Sequence, residues 1–160
     1  MKHNINIPTK AFSINKMSYR DKRHKTAEAH DWSHTVLHYL SQEPNKQKLK
    51  ELRDNFEPKK HAYKLDLTFY YPHEILHTKD GRISAKSHDI SNIEKPLIDL
   101  IFLPKYFDQT PPYGAENLNI DDKYIIEMTS RKKAATEHGI DVNIEIIELS
   151  SLDTDIHNDQ

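Results

Sequence analysis

Apolar and polar residues alternate with a period of two in several stretches of the chain. Ile5 and Ile7, then Phe12 and Ile14, predict a strand or two over residues 3 to 15. Tyr63, Leu65, Leu67 and Phe69 alternate with Lys64, Asp66 and Thr68, the pattern of a half-buried strand. Tyr124, Ile126 and Met128 repeat it, and Val142, Ile144 and Ile146 repeat it again. Elsewhere the period is helical. Thr26 is a good N-cap, and Trp32, Val36, Leu37 and Leu40 then share one face. Pro44 ends or restarts that helix. Leu49, Leu52 and Phe56 mark a second, highly charged helix that closes before Pro58. A third is predicted from Ile93, with Leu97, Leu100 and Ile101 on one stripe, and Leu103-Pro104 stops it.

Between these elements the chain is punctuated. Asp80-Gly81 is a turn signal. Residues 16 to 25 read as a basic loop. Residues 104 to 120 hold Pro104, Pro111, Pro112 and Gly114 and read as a long loop. There is no internal repeat. The mixed order of elements predicts an α+β fold, a small mixed β-sheet flanked by two or three helices. A length of 160 residues suits one domain over residues 1–150, with the polar residues 151–160 expected to form a disordered tail.

Composition narrows the function classes. Hydrophobic residues are 36% and charged residues 30%, which allows a core without a surplus, so self-association could complete it. No apolar run is long enough to span a bilayer, and Met1 to Lys10 lacks the apolar middle of a signal peptide. A cytoplasmic location is therefore expected. The absence of cysteine excludes disulfides and thiolate metal sites. Only 3 glycines are present and none forms a phosphate-cradling loop, so no nucleotide cofactor is expected. No serine or cysteine nucleophile motif is visible.

Net charge is −2, which by itself says nothing for nucleic acid, but the signs are segregated. Lys10, Lys16, Arg20, Lys22, Arg23 and Lys25 face a single acid, Asp21, within residues 10 to 25. Lys46 to Lys64 is lysine-rich, and Arg131, Lys132 and Lys133 form a third cluster. Asp141, Glu145, Glu148, Asp153, Asp155 and Asp159 gather towards the end. Such a chain can present a basic face to phosphates, although each cluster also reads as ordinary solvated surface.

The chemistry concentrates between His88 and Asp99 and at Asp121-Asp122. Asn92, Lys95 and Asp99 fall at i, i+3 and i+7, so on a helix they share a face roughly opposite the apolar stripe. Asp89 sits just before that helix, and Asp121-Asp122 lies at a loop-to-strand junction. Carboxylates from separated segments converging with a lysine suit phosphodiester hydrolysis. Magnesium takes hard oxygens, often only one or two carboxylates plus water and phosphate. The plain structural alternative stays open. Ser91-x-x-Glu94 is a capping box, Asp89 a helper of the helix dipole, Asn92, Lys95 and Asp99 a solvated face, and Asp121-Asp122 a turn.

Asp89-x-Ser91-Asn92-x-x-Lys95-x-x-x-Asp99 followed by Asp121-Asp122 resembles the RusA family of Holliday junction resolvases. That family carries Asp-x-Asp-Asn-x-x-Lys-x-x-x-Asp at the start of a helix and a later Asp-Asp before a strand. Ser13-Ile14-Asn15-Lys16, the basic stretch after it and Lys132 extend the likeness, which covers about half the chain. The resemblance implies a homodimeric endonuclease that binds four-way DNA junctions and makes paired, symmetric nicks with Mg2+, Mn2+ being able to substitute. It implies Asp89, Lys95 and Asp122 as catalytic residues, with Asp89, Asp122 and Asp121 at the metal. Ser91, Asn92, Asp99 and Asp121 support them, and Lys16, Arg20, Lys22, Arg23, Lys25 and Lys132 face DNA. Ser91 stands where the family pattern has an aspartate, Pro96 follows Lys95 directly, and the segment between Asp99 and Asp121 is longer than usual.

Ser91 motivates a rival expectation, a junction-binding protein that has lost catalysis. A more distant one is a zinc protease, because His73-Glu74-Ile75-Leu76-His77 matches H-E-x-x-H. That chemistry needs a sustained helix and a third ligand, and Asp80-Gly81 follows almost at once. His30, His34 and His38 are spaced for a helical metal site but read more simply as a polar helix face.

Overall fold

A computed structural model describes residues 1–16, 26–102 and 117–153. The period-two stretches become four strands: β1 (Lys2–Ile7), β2 (His61–Pro72), β3 (Ile125–Ala135) and β4 (Gly139–Glu148). They form one mixed sheet in the order β1-β4-β2-β3. β4 runs antiparallel to both β1 and β2, while β3 runs parallel to β2. The helices are α1 (Ala27–Leu40), α2 (Asn45–Asp54), the single turn α3 (His73–Leu76) and α4 (Ile90–Phe102). The α+β expectation holds. A parallel pair needs a crossover, and α4 lies within the one that joins β2 to β3.

The alternation of β2 divides the sheet into two faces. Tyr63, Leu65, Leu67, Phe69 and Tyr71 are buried and face the helices together with Ile5, Ile7, Ile140, Val142 and Ile144. Trp32, Val36, Leu37 and Leu40 of α1, Leu49 and Leu52 of α2, and Ile93, Leu97 and Ile101 of α4 close the core over them. The opposite face is polar and cross-linked. Asn4 bonds Asn143 (3.1 Å), Asn6 bonds Asp141 (2.8 Å), Lys64 pairs with Glu127 (3.0 Å), and Arg131 bonds both Asp66 and Thr68. Cross-strand polar pairs of this kind let one sheet face remain open to water.

Three expectations change. Of the strand or two expected over residues 3 to 15, one forms, and Phe12 and Ile14 lie outside it. Thr9 N–H turns back to the Ile7 carbonyl (2.8 Å), Phe12 leaves the sheet to stack on Trp32 (5.4 Å), and Ile14 opens a 3-10 turn over Ile14–Lys16. In β3, Ile126 and Met128 are exposed rather than core. β3 is the sheet edge, and a register shift at Tyr63/Lys64 leaves Ile126 unpaired with any β2 residue. α4 begins at Ile90, earlier than the expected Ile93, directly after Asp89. Of the 104 to 120 loop, residues 104–116 lie outside the described residues, as do 154–160 of the expected disordered tail.

Two pins bring the ends of the uncharted segments together. Thr26 Oγ1 accepts from Ala29 N–H (3.1 Å), so it caps α1, and its hydroxyl donates to the Lys16 carbonyl (2.6 Å). Leu118 N–H and Ile120 N–H donate to the Ile101 and Phe102 carbonyls (2.8 and 2.9 Å), so the chain returns beside the end of α4. Phe56 then stacks on Tyr63 (4.2 Å) and meets Tyr124 edge-on (5.5 Å), which fixes the turn that opens β3. Thr26→Ala is expected to cost about 1 kcal/mol, the usual worth of a helix N-cap, read as a lower urea midpoint with an unchanged slope. An unchanged midpoint would show that Thr26 caps nothing that matters.

Candidate functional site

Lys95 stands on the second turn of α4, one turn before Asp99 and twenty-seven residues before Asp122. Its ammonium donates to Asp99 Oδ1 at 2.7 Å and to Asp122 Oδ2 at 3.2 Å. The structure thus brings together three of the residues singled out in the sequence. They are not a purely solvated face. Asp99 is only 5% exposed, whereas the Lys95 side chain is 48% exposed. A carboxylate buried to that degree needs a counter-charge, and Lys95 supplies it. The bond from Asp99 is the main cause that holds the Lys95 pKa above its usual value, against burial, with Asp122 adding to it. Lys95 is therefore a fixed cation and hydrogen-bond donor rather than a base.

Asp122 reaches Lys95 because a 3-10 turn (Asp122–Tyr124) leads straight into β3. Asp121 caps that turn, its Oδ1 accepting from Lys123 N–H at 2.8 Å. The turn reading of Asp121-Asp122 is thus correct, and it is also what presents Asp122. One oxygen of Asp121 is thus engaged by the Lys123 backbone, which limits its use as a metal ligand.

The head of α4 is a separate construction. Asp89 precedes Ile90, is exposed, and its carboxylate makes no hydrogen bond or ion pair with any described residue. Ser91 lies within the helix, so the Ser91/Glu94 capping box does not form. Glu94 instead accepts a hydrogen bond from Ser130 on β3. Asn92 is half-buried, and Pro96, buried in the second turn, has no N–H to give the Asn92 carbonyl. Among the described residues no three His, Asp or Glu side chains gather where they could hold a metal ion. Asp89 and Asp122 offer hard oxygens. Two carboxylates on separate segments are fewer than a cation held wholly by protein requires.

No protein-family model matches the chain, and no curated protein matches it. The assignment of a role to the site therefore rests on its residues.

The basic residues divide. Lys16 ends the turn that packs against α4, and its charge helps hold the His88 pKa down, after burial. It makes no ion pair with a described acid. Arg20, Lys22, Arg23 and Lys25 lie outside the described residues. Lys132, expected to face DNA, is half-buried and turned inward. Its Nζ donates to Ser87 Oγ (2.9 Å) and to the His88 carbonyl (2.8 Å). His88, which opens the segment that ends at Asp99, carries no sequence signal for a role of its own. It has φ 63° and ψ 166°, and its Nδ1 is buried without a partner among the described residues. Only its place beside Asp89 could have drawn attention to it.

The H-E-x-x-H match does not meet its requirement. α3 is one turn long and His77 is already extended (φ −115°, ψ 146°), although the His73 and His77 rings lie 4.6 Å apart. His30, His34 and His38 lie on the exposed face of α1.

Lys95→Met is expected to lower stability at neutral pH, because it removes the ammonium that bonds both Asp99 and Asp122. The sign follows from the raised Lys95 pKa: its contribution is full below the unfolded value of 10.5 and is lost as pH rises through the higher folded value. Urea unfolding across alkaline pH should therefore show wild type converging on the variant. Equal stability of the two proteins at neutral pH would show that the ammonium does not bridge these acids.

Proposed function

We propose that the chain is a magnesium-dependent, structure-selective DNA endonuclease that resolves four-way junctions by paired nicks, acting as a homodimer in the cytoplasm in recombination and repair. The observation that carries this reading is the Lys95 ammonium bonded to both Asp99 and Asp122 (2.7 and 3.2 Å) beside a helix headed by Asp89. Its residue types, spacing and element order agree with the RusA-like pattern.

Asp89 and Asp122, with Asp121 in support, would hold the cation. Magnesium, when bound, lowers the pKa of a water and offsets charge on a phosphate. The remaining roles belong to the chain. Asp99 keeps Lys95 protonated and pointed at the Asp122 side of the helix. Lys95 can then donate to a phosphoryl oxygen or to the leaving oxygen as charge grows there, a fixed donor that needs no reorganisation. Asp121 holds the turn that presents Asp122, while exposed Ser91 and half-buried Asn92 lie on the first turn of α4. Lys16 and the basic segment after it, Arg20, Lys22, Arg23 and Lys25, contact backbone phosphates, which position a nucleic acid without reading its sequence. A two-fold dimer would present two equal sites to a two-fold junction. The exposed Ile126 and Met128 on edge strand β3 give a second copy apolar surface to cover.

A second reading, a junction-binding protein without catalysis, is favoured by one observation. Ser91 offers a hydroxyl where a carboxylate would strengthen a cation site, and it bonds no described residue.

Purified protein incubated with labelled four-way junctions and Mg2+ is expected to give symmetric paired nicks. Asp89→Asn, Lys95→Met and Asp122→Asn are each expected to slow them at least about 100-fold with junction binding retained. Tight binding without nicks across several junction sequences, with Mg2+ and with Mn2+, would select the second reading. Replacing Lys22 and Arg23 by alanine is expected to weaken junction binding and to make its salt dependence shallower by about two ions. An unchanged slope would remove both residues from the DNA surface.

A further inference from the structure

The lysine cluster near the end of β3 looked like DNA-facing surface in the sequence, but one of its members is committed elsewhere. Lys132 sits in register with Phe69, so its side chain leaves β3 on the helix-bearing face. There it meets the loop that delivers the chain to α4. That loop is built from buried serines. Ser84 Oγ accepts from Lys86 N–H (3.2 Å) and opens a 3-10 turn over Ala85–Ser87. The Ser87 hydroxyl donates to the Ser84 carbonyl (2.8 Å) while its oxygen accepts from Lys132 Nζ (2.9 Å). Ser87 is fully buried.

The next residue is the strained one. A backbone at φ 63° and ψ 166° lies in a region nearly reserved for glycine, and a histidine stays there only where its surroundings hold it. The second bond of the Lys132 ammonium, to the His88 carbonyl (2.8 Å), acts on that very peptide. The peptide bond it grips is the one that joins His88 to Asp89.

We propose that Lys132 is a positioning residue: its ammonium clamps Ser87 and the His88 carbonyl, holds the strained His88 backbone, and so sets where Asp89 is presented at the head of α4. The proposal deepens the endonuclease reading, because it assigns to Lys132 an effect on the reaction through Asp89 and not a contact with DNA. Two of the three ammonium protons are already used inside the protein, which leaves little for a phosphate.

The chain has no cysteine, so Lys132→Cys creates a unique thiol that 2-bromoethylamine converts into a lysine-like ammonium of nearly the same reach. In Lys132→Cys, amides of residues 87–92 are expected to exchange hydrogen about tenfold faster or more, with β2 amides unchanged. Junction cleavage should fall at saturating junction, while junction affinity and its salt slope stay as in wild type. Alkylation should restore both exchange and cleavage. If the variant loses protection in β2 as well, Ser87→Ala, which deletes one acceptor of the clamp, takes its place with the same expected pattern of exchange. Unchanged exchange at 87–92 overturns the proposal, and does so whether or not affinity and salt slope fall as for a phosphate contact. If wild type cleaves no junction, the endonuclease reading fails on that result, and the exchange comparison still decides whether Lys132 holds the loop.

Discussion

A carboxylate that is 5% exposed sets the terms for the rest of the site. Asp99 lies nearly buried on α4 beside the core residues Leu97 and Leu100, and Lys95, one turn earlier on the helix, donates to its Oδ1. The same ammonium extends to Asp122, which arrives from beyond the crossover. The helix and the turn before β3 are thus joined by one charged group that is half in water. The bonds to Asp99 and Asp122 give Lys95 its fixed charge and direction, and exposure leaves it able to meet a substrate.

The fold explains why these parts meet. A parallel β2–β3 pair requires a crossover, and α4 occupies it with its apolar stripe against the sheet. The return segment bonds the last carbonyls of α4 through Leu118 and Ile120, so the Asp121-capped turn has one place to go. Phe56, Tyr63, Phe102 and Tyr124 pack around that point, with the Tyr63 hydroxyl donating to the Leu52 carbonyl (2.9 Å). At the other end of the helix, Lys132 and the buried serines fix its entry. The crossover helix is held at both ends by polar contacts that the core alone would not supply.

Much of this was legible in the residues. The alternation of Tyr63 to Phe69 and of Val142 to Ile146 gave two strands, and Thr26 gave the start of α1, because both signals are local. Lys95, Asp99 and Asp122 could be grouped from spacing and residue type. The failures involve long-range contacts. Ser91-x-x-Glu94 has the form of a capping box, but Ser130, distant in sequence, takes Glu94. Asp99 belongs to a polar stripe by periodicity and is nevertheless buried. Lys132 reads as surface charge until the register of β3 turns it towards the helices. Ile126 and Met128 alternate correctly, yet an edge strand has no neighbour to bury them. His88 had no signal of its own, because backbone strain has no letter in a sequence.

Asp89 marks the remaining step between geometry and chemistry. Its carboxylate is free of described partners at the head of α4, while Asp122 is tied to Lys95 from the other side. Catalysis by this site requires one divalent cation to use both once a phosphate is present. The direct measurement is the anomalous signal of Mn2+ in crystals of an Asn92→Ala or wild-type complex with a nuclease-resistant, phosphorothioate four-way junction. The expected result is an ion coordinated by the Asp89 and Asp122 carboxylates and by the phosphate, with Lys95 Nζ against that phosphate. An ion bound at neither aspartate, or a junction lying away from α4, would contradict it.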